Sequence, residues 1–132
     1  MPSIFTRIIQ GEIPCHKVAE SDQFIAFLDI RPVALGHTVV VPKQEIDYFF
    51  DLDDQLLADL MHFAKGVARA LRETVPCKRI GLSVVGLEVP HAHLHLIPLQ
   101  TMEDMNFLHP PVQMEASELA ALAAEVASRL QG

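Results

Sequence analysis

Between Lys17 and Ile46 the chain alternates short apolar runs with turn residues. The runs at residues 18–19, 24–28 and 38–41 are rich in branched and aromatic side chains, and Ser21-Asp22, Arg31-Pro32 and Leu35-Gly36 interrupt them. Pro fixes φ and Gly permits positive φ, so the interruptions read as turns and the runs as strands with short connections. From residue 53 the period lengthens. Leu56, Leu57, Leu60, Phe63, Ala64, Val67, Ala68 and Leu71 recur at spacings of three and four, predicting one apolar face of a helix over residues 53–74. Asp51, Asp53 and Asp54 suit its start, and Pro76 stops it. Strands over 80–85 and 92–99 come next. After the break at His109-Pro110-Pro111, Leu119, Leu122, Ala123, Val126 and Leu130 predict a second helix over about 115–130. Strands precede and follow the main helix instead of alternating with helices, which predicts an α+β fold with a mainly antiparallel sheet.

A chain of 132 residues, half of them apolar, suits a single domain with a filled core, here residues 1–132. A formal charge of −7 disfavours nucleic acid and anionic membranes as partners, though one local site can still hold a small anion. Cys15 and Cys77 lie too far apart for a CxxC pair, and two thiols make no disulfide scaffold, so they read as reduced and the chain as cytoplasmic. The N-terminus lacks the basic and long apolar regions of a secretory signal. Every apolar run is far shorter than the roughly 18 residues of a membrane span.

The chemistry concentrates in Val89-Pro90-His91-Ala92-His93-Leu94-His95-Leu96. In an extended chain His91, His93 and His95 share one face, with Ala92, Leu94 and Leu96 on the other. Crowded titratable groups on one sheet face point to function. Two readings fit the residues alone. Three imidazoles can hold Zn²⁺ with an open position. Alternatively, the middle imidazole attacks phosphorus while its neighbours fix its tautomer.

The run His91-Ala92-His93-Leu94-His95-Leu96-Ile97 resembles the HxHxHxx signature of the histidine triad family. Phe5, Ile8, Ile9, Gly11-Glu12-Ile13-Pro14, Val18, Glu20, Phe27-Leu28-Asp29-Ile30, Pro32, Gly36-His37 and Val41-Pro42-Lys43 match that family's pattern in order and spacing over about residues 3–100. The closest likeness is to its small bacterial, Hint-like branch of nucleotide hydrolases and transferases. The resemblance implies a five-stranded antiparallel sheet with flanking helices, paired into a homodimer. It also implies that His93 is the nucleophile taking a nucleoside monophosphate from a phosphoramidate, acyl-adenylate or dinucleoside polyphosphate. His91 and His95 would bind the phosphate region and His37 would support them. Asp29 would accept the ribose hydroxyls, and Phe5, Ile8, Phe27 and Ile30 would wall the purine base. No cofactor is implied.

The chain also departs from the family. Many relatives carry two N-terminal cysteines and a histidine two residues after the Pro-Lys pair, which with a triad histidine bind a structural zinc; here those positions are Ser3, Thr6 and Glu45. Hydroxyls are poor neutral donors to zinc, so no metal is expected. Just before the triad, Leu87 replaces the usual Gln, and Glu88 stands where some relatives place a small hydroxyl. Ser83 can supply a substitute hydroxyl, and Glu88 can meet a cationic leaving amine or assist water. The leading expectation is a hydrolase or nucleotidyltransferase acting on a purine nucleotide conjugate. The alternatives are a nucleotide-binding regulator with little catalysis and a zinc-binding interaction protein.

Overall fold

The computed structural model describes residues 2–130; residues 1, 131 and 132, the ends of the expected domain, lie outside them. Five strands form one sheet in the order β1-β2-β3-β5-β4, with every neighbouring pair antiparallel. They are β1 (Lys17–Glu20), β2 (Phe24–Leu28), β3 (Thr38–Pro42), β4 (Arg79–Ser83) and β5 (Leu94–Leu99). The helices are α1 (Ile4–Ile9), α2 (Asp54–Thr74) and α3 (Ala116–Ser128), with single 3-10 turns at Phe49–Asp51 and Met102–Met105.

Every residue of β2 and β3 is buried, because both faces of the central sheet are covered. On one face Phe24, Ala26, Leu28, Val40, Leu94 and Leu96 pack under α2 and α3. On the other, Ile25, Phe27, Val39 and Val41 pack under Phe5, Ile8 and Ile9 of α1. The period-two alternation of a strand thus sorts neighbours along β2 and β3 into separate layers. Asp53 caps α2 by accepting the Leu56 amide at 2.8 Å. The helix ends at Val75, whose extended backbone (φ −104°, ψ 120°) is the conformation that the following Pro76 favours.

The helix α1 has no counterpart in the sequence reading. Six residues are too few for a periodic signal, and its start rests on Ser3, whose hydroxyl accepts the Thr6 amide. Two strands are also shorter than expected. β4 ends at Ser83 instead of residue 85, and β5 begins at Leu94 instead of residue 92. Pro42 ends β3 without an N–H to extend the ladder. The backbone ahead of β5 bonds elsewhere, Ala92 N donating to the Ile46 carbonyl and His91 N to that of Val89. The first two histidines therefore stand in an irregular segment just outside the sheet.

Candidate active site

Strand register assembles a row across the α1 face of the sheet: Phe27 lies opposite Val39, Val39 opposite His95, and His95 opposite Ser83. Directly paired residues of antiparallel strands point to the same side. His93 joins the row despite lying outside the ladder, its ring 5.0 Å from that of His95. Phe5 closes the other flank, with its ring edge-on to His93 at 4.8 Å and to His91 at 5.8 Å. The three histidines thus share one face, as an extended chain requires, although only His95 lies in a strand.

Hydrogen bonds to groups of fixed polarity locate the ring protons. Nδ1 of His93 lies 2.7 Å from the His91 carbonyl. A carbonyl only accepts, so Nδ1 carries the proton and Nε2 presents a bare lone pair. On His37 the Val33 amide donates to Nδ1 at 3.1 Å. The His37 proton is therefore on Nε2, which donates to Nδ1 of His95 at 2.9 Å. That leaves the His95 proton on its own Nε2. Burial keeps these rings neutral: it lowers His93 and His37 below the ordinary 6.5, and together with the neighbouring imidazoles it pushes His95 down to about 3.

The other expected site residues divide by position. Asp29 follows β2, its Oδ1 accepting the Arg31 amide at 2.8 Å and its Oδ2 3.7 Å from Nε2 of His37. Phe27 and Phe5 are buried and packed edge to face at 5.7 Å, and Ile8 is half-buried beside them. Ile30 lies open to solvent at 69% exposure. Glu88 is exposed, close enough for its charge to favour the protonated form of His93. The hydroxyl of Ser83 is buried without a hydrogen-bond partner among the described residues. Its pairing with His95 puts that hydroxyl on the same face of the sheet as the histidines.

Two features escaped the sequence. Phe107 comes from the tail, and its ring packs 4.8 Å from His95 and 5.9 Å from His37. A lone aromatic between Asn106 and Leu108 carries no local signal. Ser3, Thr6 and Glu45, the positions where relatives bind zinc, do converge on His91. They hold it by hydrogen bonds, with Ser3 Oγ at 2.7 Å from His91 Nδ1 and Glu45 accepting from Ser3 and Thr6. Two hydroxyls in place of thiolates do not fit zinc. Asp29, His37 and His95 also present ligand atoms within 4.8 Å of one another. They fit a cation poorly, because the Val33 amide forces the proton of His37 onto Nε2, the nitrogen that faces the other two.

Comparisons with known proteins agree with this geometry. A HIT domain model matches residues 10–102. Adenosine 5′-monophosphoramidase Hnt1 of Schizosaccharomyces pombe is 32% identical over 133 residues, spanning 99% of this chain and 100% of that protein. Among solved structures, a hypothetical histidine triad nucleotide-binding protein from Sulfolobus tokodaii superposes with a TM-score of 0.84 at 27% identity, covering 96% of this chain and 90% of that one. A zinc-bound histidine triad family protein from Mycobacterium smegmatis gives 0.79 at 26% identity, covering 95% and 93%. The family model covers the sheet's five strands and the three alternating histidines, the fold is that of the solved relatives, and the protein belongs to the histidine triad (HIT) family.

Proposed function

We propose that the chain is a nucleoside phosphoramidase or nucleotide hydrolase that works through a nucleotidyl-histidine on His93. The observation that carries this reading is the bare, buried and oriented Nε2 of His93, fixed by the His91 carbonyl. Nε2 attacks the phosphorus of an adenylate conjugate such as adenosine 5′-phosphoramidate. A nitrogen–phosphorus bond forms to His93, and the bond to the leaving amine breaks. The N–H on Nε2 of His95, backed by the His37 relay, donates to the departing nitrogen. Water then attacks the phosphorus, passing a proton back to Nε2 of His95 as the nitrogen–phosphorus bond breaks and its electron pair returns to His93, which releases AMP and restores both rings. His95 flanks the phosphate, while His91, expected beside it, has a buried ring with both nitrogens bonded within the protein and serves through its carbonyl on His93. Asp29 takes the ribose hydroxyls through Oδ2, and Phe5, Ile8, Phe27 and Ile30 border the base. Ser83 offers its free hydroxyl to phosphate or leaving group, and Glu88 meets a cationic leaving amine.

His93→Ala tests the reading. Wild type should release AMP from adenosine 5′-phosphoramidate and yield an acid-labile adduct heavier by one AMP; the variant should do neither, and equal release by both would end the assignment. A nucleotide-binding regulator is the second reading, favoured by Leu87, 88% exposed where relatives place Gln. Tight AMP binding without turnover or adduct would select it.

Two further expectations attach to this reading. We infer that residues 1–132 act as one domain, supported by the burial of Leu119, Ala123 and Val126 of α3 in the main core, and that it works in the cytoplasm, in keeping with two cysteines that are free thiols. A homodimer is supported by edge strand β4, where Leu82 and, on α2, Met61 are each 43% exposed beside an apolar groove that also includes Ala68 and Ile80.

A further inference from the structure

A hydrogen-bonded chain that the proposed chemistry does not use stands behind His91. The His91 ring is fully buried, with Nε2 2.8 Å from the Pro42 carbonyl. The carbonyl places the ring proton on Nε2, so Nδ1 accepts, and its donor is the Ser3 hydroxyl at 2.7 Å. Ser3 Oγ accepts in turn from the Thr6 amide at 3.0 Å. The Thr6 hydroxyl donates to Glu45 Oε1 at 2.5 Å, and the same oxygen takes the Ser3 amide at 2.8 Å. Those two donors hold the Glu45 carboxyl down at about 2, so it stays an acceptor throughout the neutral range. Residues 3, 6, 45 and 91 are thereby joined across 88 positions of sequence. Each bond has only one workable direction.

We propose that Ser3, Thr6 and Glu45 are positioning residues for His93. They clamp the His91 ring at its second nitrogen, which fixes the His91 carbonyl, and that carbonyl holds the proton on Nδ1 of His93 and keeps Nε2 bare. This rests on the reading of His93 as nucleophile. The competing account is that Ser3 merely caps α1. Glycine retains most of a serine cap's stabilisation but has no hydroxyl, so Ser3→Gly separates the two roles.

The test compares wild type, Ser3→Gly, Ser3→Thr, Glu45→Ala and His93→Ala on adenosine 5′-phosphoramidate, with ¹⁵N NMR of the histidine rings and thermal melting of each variant. Ser3→Gly should lower kcat by about 10- to 100-fold, the range that small misplacements of reacting groups produce, with KM unchanged. The His93 ring signals should move from a pure Nδ1–H form towards a mixture of tautomers. Ser3→Thr, which keeps the hydroxyl, should restore both. Glu45→Ala, which removes the acceptor, should shift both in the same direction as Ser3→Gly and, being at an exposed position, supplies the test if Ser3→Gly fails to fold. An unchanged kcat, or a fall in kcat with unaltered His93 signals, overturns the proposal and leaves Ser3 as a cap. If His93→Ala is inactive while Ser3→Gly behaves as wild type, only the positioning role falls. If His93→Ala retains turnover, the nucleophile reading falls and takes this one with it.

Discussion

At the scale of single residues, the decisive property is neutrality. An ordinary imidazole titrates near 6.5, but burial lowers His93 and pushes His95 to about 3. Activity should therefore persist below pH 6.5, and the acid limb of a kcat/KM profile on adenosine 5′-phosphoramidate should fall under that value. Stability follows the opposite course. Below 6.5 the unfolded chain takes up protons that the buried rings refuse, so the folded state is favoured fully above 6.5 and progressively less as pH falls towards the lowered values. Urea midpoints measured at neutral pH and near pH 5 should fall in that order. Phe107 contributes to the same effect by covering His37 and His95. Phe107→Ala should admit water, raise the apparent pKa of the acid limb and shift it to higher pH, which the same profile reports.

At the scale of elements, the loop between β2 and β3 is held by one glycine. Gly36 sits at φ +90°, and an added Cβ would lie 3.0 Å from both Pro98 Cγ and Val75 Cγ2. Gly36→Ala should cost about 1–3 kcal/mol from the backbone conformation alone, read from urea denaturation, and should disturb His37 next to it. Leu60 of α2 is fully buried among the packed sheet and helices, so Leu60→Ala should cost about 2–5 kcal/mol by the same measurement. Elements like α2 were legible because 21 residues repeat one spacing many times. The same holds for β2 and β3, whose branched and aromatic runs end at turn residues. The alternation of His91, His93 and His95 also survived, since strand-like parity continues past the point where ladder bonding stops. What could not be read is what depends on distant partners. Nothing near Ser3 announces a bond to His91, nothing at Val33 announces that its amide sets a proton on His37, and the late start of β5 at Leu94 depends on Pro42 and Ile46.

At the scale of the whole molecule, part of the surplus negative charge is paired locally. Near α1 and β1 the carboxylates are already engaged, Glu20 by Lys17 and Lys43 and Glu12 by Arg7. Self-association belongs to this scale too. With β4 at the sheet edge and Met61 and Leu82 half exposed, sedimentation should give about twice the 14.6 kDa chain mass, and Met61→Lys with Leu82→Lys should return it to the mass of one chain. A consequence for divergence follows from Phe107. The family match ends at residue 102, yet this ring touches two of the site's histidines from five positions further on. Loops and tails vary among homologues more freely than strands do. Two relatives can therefore agree at every motif histidine and still cover His95 with different side chains.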